Sequence, residues 1–272
     1  MKTPTDRRRP PAKDGPTTKP RTNTRDLARI AGFSAVSALF ATAPERVERL
    51  FFDERSKTRV KEFCAVLSKA RKPYREVPAE ELNRVAGTAM HGGIVAVAQP
   101  RPVLPFDAQA ARSWARDGRL LLILDGIGNP HNLGAIVRTA AFFGLPRILL
   151  SDHAQQALPS DASYRVAEGG FEHVDLYRAP GLSAQLGKLR GIYRIIGAAP
   201  SGRASIPARK PADLPFALVL GNEEAGLPDK TRTACDDIVA IPGHGRIESL
   251  NVSAAAAVLI YALNGTVSFT QR

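Results

Sequence analysis

Long apolar runs, cysteine and acidic residues are all in short supply in this sequence. No stretch approaches the roughly 20 apolar residues of a membrane-spanning helix, so no membrane partner is expected. The basic residues near the start have no apolar segment behind them, which argues against a secretory signal. Two cysteines, Cys64 and Cys235, are too few and too far apart for a disulfide framework or a four-ligand zinc site. A reducing, cytoplasmic setting without a metal is expected, with both thiols buried rather than reactive. The acidic deficit is the most useful shortage: 26 Asp and Glu stand against 38 Lys and Arg, giving +12 and a sequence pI near 10.1. Such an excess suits polyanions, of which nucleic acid is the commonest large one, and it also serves solubility.

What is present is an ordinary globular composition, 44% apolar and 24% charged, in a chain of 272 residues with room for one large or two modest domains. Residues 1–24 are rich in Pro, Thr and Arg and nearly devoid of apolar side chains, which predicts a disordered basic tail. Residues 25–100 read as a compact α/β unit. Helical spacing covers 26–40, a short strand 47–52, an amphipathic helix 58–71 with Val60, Phe63, Cys64 and Leu67 on one face, a short helix 78–85, and a closing strand 93–98. Pro100, Pro102 and Pro105 then lead into a polar helical linker, assigned to 101–118. From 119 onward, apolar runs recur at 119–125, 147–150, 192–198, 216–220 and 238–241. Helical stretches between several of them predict a mostly parallel sheet covered on both faces.

In such sheets ligands bind beyond the carboxyl ends of the strands. Three of the runs end in conspicuous loops: Gly126-Ile127-Gly128-Asn129-Pro130-His131-Asn132, Gly221-Asn222-Glu223-Glu224-Ala225-Gly226, and Pro242 through Asn251. Glycines there permit positive φ and close approach of backbone to a ligand. The last loop runs into the apolar stretch 252–263, with Ser249, Asn251 and Ser253 each able to cap a helix. A nicotinamide fingerprint fits poorly: His131 stands where its third glycine belongs, and Pro130 interrupts the loop, although Asp152 follows the next strand.

Taken together, the three loops resemble the three motifs of the SpoU (TrmH-like) class of SPOUT RNA methyltransferases. The first is Leu124-Asp125-Gly126 through Asn132 to Ala140, with Arg138. The second is Leu220-Gly221-Asn222-Glu223 with Gly226-Leu227. The third is Ile241-Pro242 with Glu248-Ser249-Leu250-Asn251-Val252-Ser253. The stretch 25–99, above all His91-Gly92-Gly93-Ile94-Val95-Ala96, is similar to an L30e-like substrate-binding domain. The resemblance implies a deep trefoil knot in a SPOUT domain at 119–272 and a homodimer. It also implies transfer of a methyl group from S-adenosylmethionine to a ribose 2′-hydroxyl of rRNA or tRNA. The cofactor would be held at Leu220, Gly221, Ile241 and Leu250.

The same resemblance gives a catalytic set of Arg138, Asn132, Glu223, Ser249 and Asn251. A guanidinium is a permanent cation, so orienting the ribose or phosphate and stabilising a developing alkoxide suits Arg138, with proton removal by it left open. Asn132 would orient the substrate-side loop or Arg138, within one chain or across the dimer interface, and Glu223 would anchor neighbouring loops or Arg138 or be purely structural. Glu224, the turn Ala167-Glu168-Gly169-Gly170 and the basic Gly243-His244-Gly245-Arg246 depart from the family pattern. The insert 201–213 is either an RNA contact or a solvated connection. The competing class is a non-catalytic RNA-binding or ribosome-assembly factor that keeps the fold.

Overall fold

The computed structural model describes residues 27–207 and 213–264; the expected tail at 1–24 and part of the insert at 201–213 lie outside the described residues. The N-terminal unit comprises β1 (Ala28–Ala31), α1 (Phe33–Thr42), β2 (Val47–Phe52), α2 (Lys61–Lys69), β3 (Tyr74–Glu76), α3 (Ala79–Ala86) and β4 (Ile94–Ala98). Its sheet has the order β1-β4-β2-β3, with β4 antiparallel to β1 and β2. The single helix expected over 26–40 is corrected. Gly32, at φ 98, breaks it, and the residues before the break form β1, paired with β4 from Ala28↔Ala98 to Ala31↔Val95. Three of the four residues of β1 are buried, so the apolar spacing reflects a covered strand.

The stretch 101–118 joins the second sheet. The proposed linker forms β5 (Val103–Pro105) and α4 (Ala108–Arg116); β5 pairs with β8 at the sheet edge, and Trp114 of α4 is buried. Pro102 and Pro105 are tolerated because an edge strand leaves one side of its ladder unpaired. There follow β6 (Leu121–Asp125), α5 (Pro130–Phe142), β7 (Arg147–Ser151), α6 (Asp161–Ala167), β8 (Asp175–Ala179) and α7 (Leu182–Leu189). The chain continues through β9 (Arg194–Ala198), β10 (Phe216–Gly221), α8 (Asp229–Ala234), β11 (Asp237–Val239) and α9 (Val252–Leu263).

The seven strands run in the order β11-β9-β10-β6-β7-β8-β5, and every described pairing is parallel. Alternation along the strands explains the near-continuous apolar runs. Leu122, Leu124, Leu218 and Leu220 face one core with α5 and α9, while Leu121, Ile123, Ala217 and Val219 face the other with α4 and α7. The first of these cores extends without a break into Leu39, Phe40 and Leu50 of the N-terminal unit, so the two units share one core. No described helix is long and apolar enough to cross a membrane.

Candidate active site

The strand order reverses between β6 and β10, which places their carboxyl ends side by side, with Gly221 in register with Asp125. A crevice at such a reversal is where open parallel sheets bind ligands. Asp125, buried at the end of β6, accepts a hydrogen bond from the Thr231 hydroxyl at 2.7 Å and ties α8 to the strand. The loop after β6 is held from the other side by Gln156. Its side-chain oxygen accepts from the N–H groups of Gly126 and Ile127, and its amide nitrogen donates to the Ile127 carbonyl.

Three side chains, one from each motif loop, form a directed chain of hydrogen bonds. Glu223 carries only acceptors, so Asn132 turns its Nδ2 toward it, donating to Oε1 at 2.7 Å. That leaves the Asn132 Oδ1 to accept from the Asn251 Nδ2 at 3.1 Å. Asn251 in turn presents its own Oδ1 to the Ser253 N–H at 2.9 Å, capping α9. The other Glu223 oxygen accepts from the Gly128 N–H at 3.3 Å. One carboxylate therefore sets the amide orientations from the first loop to the last helix. Of the candidate N-caps for α9, Asn251 takes the position.

The second loop is a tight turn built on its own asparagine. Asn222 pairs N–H to carbonyl with Gly226 in both directions, accepts from the N–H groups of Glu224 and Ala225 on its side-chain oxygen, and donates to the Gly126 carbonyl at 2.7 Å. These bonds use only the backbone of Glu224, so the turn accepts a residue larger than glycine there. Asn222 and Gln156 had no assigned role from sequence. For Asn222 the available signal is its type, a short amide able to bond backbone two residues on; Gln156 has no signal short of three-dimensional structure.

Arg138 is not brought to this chain. It lies six residues beyond Asn132 on α5, about 9 Å along the axis and about a third of a turn round. Its guanidinium pairs with Glu168, Nη1 to Oε1 at 3.1 Å. Of the expected cofactor residues, Leu220 and Gly221 are buried at the end of β10, and Ile241 is half-buried against the core. Leu250 and Ile247 are exposed large apolar side chains, and Ser249 stands exposed beside them. Around Gly226, Gly243 and Gly245 there is open space. Exposed apolar side chains, open glycines and the exposed Ser249 hydroxyl fit a ligand with a flat apolar ring and polar substituents, as adenosyl compounds have. Cys235 is no nucleophile: burial pushes its thiol up to about 12, and burial also raises Cys64. No group of acidic, His or Cys side chains among the described residues could hold a metal.

Comparison with known proteins agrees with this geometry. Residues 119–261 match the SpoU rRNA Methylase family, and residues 29–104 match the RNA 2′-O ribose methyltransferase substrate binding family. The chain belongs to the SpoU rRNA methylase family and is with it an S-adenosylmethionine-dependent RNA 2′-O-ribose methyltransferase. Among individual relatives, it is 31% identical to the 23S rRNA (guanosine-2′-O-)-methyltransferase RlmB of Acinetobacter baylyi, over 85% of this chain and 94% of that protein. It is 34% identical to the uncharacterized tRNA/rRNA methyltransferase YfiF of Escherichia coli O157:H7, over 85% of this chain and 66% of that longer protein. In fold it matches the AdoMet-bound rRNA methyltransferase from Sinorhizobium meliloti with a TM-score of 0.71 at 20% identity, over 88% of this chain and 87% of that one.

Proposed function

We propose that this enzyme methylates a guanosine 2′-hydroxyl of large-subunit rRNA in the cytoplasm, at a site completed by a second copy of the chain. The observation that carries the site assignment is the bond chain Asn251–Asn132–Glu223, which locks the three motif loops into one wall. S-adenosylmethionine supplies a sulfonium-activated methyl group for in-line displacement, which asks the protein mainly for alignment. Leu220, Gly221, Ile241 and Leu250 would hold its adenosyl part, with Ser249 and Asn251 donors beside its reactive end. Arg138 would orient the ribose or phosphate and stabilise the oxygen as it loses its proton. Substrate RNA is drawn in by the basic surface; the similarity to an rRNA-modifying relative favours rRNA over tRNA.

The second copy is supported by one face of the molecule. His131, Ala135, Arg138 and Phe142 follow one another along the outer stripe of α5. Ala254, Val258, Tyr261 and Ala262 do the same on α9, which packs on α5. Phe142 and Tyr261 are 75% and 74% exposed, an unusual outlay of aromatic surface for a free face, and Arg138 sits among them. A partner across this face would meet Arg138, which its own chain leaves away from the loops. We also propose that α9, packed on α5 and β10, closes the expected knot. Arg138→Ala should abolish methyl transfer while leaving S-adenosylmethionine affinity by calorimetry nearly unchanged, in a protein whose mass by light scattering is twice 29.2 kDa. Equal loss of activity and cofactor affinity would show that its role is misplaced, and a monomeric active enzyme would remove the second copy.

A further inference from the structure

The carboxylate that pairs with Arg138 has an unusual backbone. Glu168 ends α6 at φ 45 and ψ 42, in the left-handed region, where glycine is the ordinary occupant. Among the described residues only Arg71 shares a positive φ without being glycine. Gly169 follows, also left-handed at φ 94. The turn is tight because it is wedged between two helices: a Cβ on Gly169 would lie 2.7 Å from the Ala38 Cβ of α1, and one on Gly170 3.1 Å from the Arg138 Cα of α5. Backbone therefore meets the N-terminal unit on one side and the helix of Arg138 on the other.

Stability does not account for a glutamate here. The Arg138 and Glu168 side chains are 57% and 49% exposed, and an ion pair that open contributes little to folding. Glycine would fit the backbone better. A side chain kept at a conformational cost beside a functional group points to a use for that side chain.

We infer that Glu168 is a positioning residue for Arg138, and that the turn carrying it couples the seating of the RNA-binding N-terminal unit to the active site. The inference rests on the reading of Arg138 as the residue that meets the target ribose or phosphate. Glu168 engages Nη1 and leaves the remaining guanidinium donors for the RNA. Because α1 packs behind the turn, the firmly seated N-terminal unit holds the carboxylate, and with it the guanidinium, in place.

Glu168→Gly and Glu168→Gln test this, with steady-state kinetics on RNA, calorimetry of S-adenosylmethionine and thermal unfolding measured side by side. Glu168→Gly should melt at or above the wild-type temperature while its kcat falls on the order of ten- to a hundredfold, with cofactor affinity within about twofold. Glu168→Gln, which keeps a hydrogen-bonding oxygen without the charge, should fall between. In an Arg138→Lys background the effect of Glu168→Gly on kcat should shrink below about twofold, because the partner it acts through has changed. A Glu168→Gly enzyme with wild-type kcat overturns the inference, as does one whose activity falls only in step with its melting temperature. If Arg138→Ala keeps full activity, the failure lies in the reading of Arg138, and the inference falls with it.

Discussion

A Cβ placed on Gly221 would lie 2.4 Å from the carbonyl carbon and oxygen of Gly226. Both are backbone atoms of the turn that Asn222 closes, so nothing flexible can yield. Gly221→Ala should therefore push the turn away from β10, weaken S-adenosylmethionine binding by about tenfold or more, and lower the denaturant midpoint, as calorimetry and urea titration would show. Unchanged affinity would mean that the turn does not form part of the cofactor wall. At this scale the sequence was readable where residue type decides the hydrogen bonding or the close packing. Asn132, Glu223 and Asn251 meet in one chain of bonds, and Gly221 is needed for a close approach. It was silent where position does: nothing in the order of residues brings Gln156 to the loop after β6, or Glu168 to Arg138.

At the scale of elements, α5 lies flush on α6 because Gly134 presents no side chain between them. A Cβ on Gly134 would fall 2.5 Å from the Ser163 carbonyl oxygen and 2.9 Å from the Val166 Cβ. Gly134→Ala improves local helix propensity by about 1 kcal/mol, yet the forced separation of the two helices should outweigh that. A net destabilisation of about 1–3 kcal/mol is expected in urea unfolding; a stabilised variant would show that the helices can slide apart freely. The buried strands β6, β7, β9 and β10 were legible because continuous apolar runs between helical stretches have few other readings. Elements without such a pattern were not. All three residues of β3 are exposed, and β5 is a proline-ended edge. The stretch read as a linker was polar on one side only; its buried face is Ala111 and Trp114, with the Trp114 ring 4.8 Å from that of Tyr177. In β1, four residues are too few to separate a period of two from a helical one, and only pairing with β4 decides the matter.

At the scale of the whole molecule, the N-terminal unit is bound firmly to the catalytic unit. Arg46 reaches Glu172 at 2.6 Å with side-chain exposures of 14% and 2%, and Arg101 donates to the Glu172 carbonyl and pairs with Asp175. Arg46→Ala would strand a carboxylate that water barely reaches, costing about 3–5 kcal/mol of stability, and Arg46→Ala with Glu172→Leu together should recover most of it. Chemical unfolding of the parent and the two variants checks this, and an Arg46→Ala protein as stable as the parent would mean that the two units are only loosely docked. The basic chain thus joins a substrate-binding unit to a parallel-sheet methyltransferase. The direct test is transfer of labelled methyl groups from S-adenosylmethionine to large-subunit rRNA from cells lacking the gene, with the product nucleotide resolved after alkaline hydrolysis. A ribose 2′-O-methyltransferase should leave stoichiometric label in a single alkali-resistant dinucleotide; label on a base, or none under conditions where the cofactor binds, would show that the enzyme does not act on the ribose of this RNA.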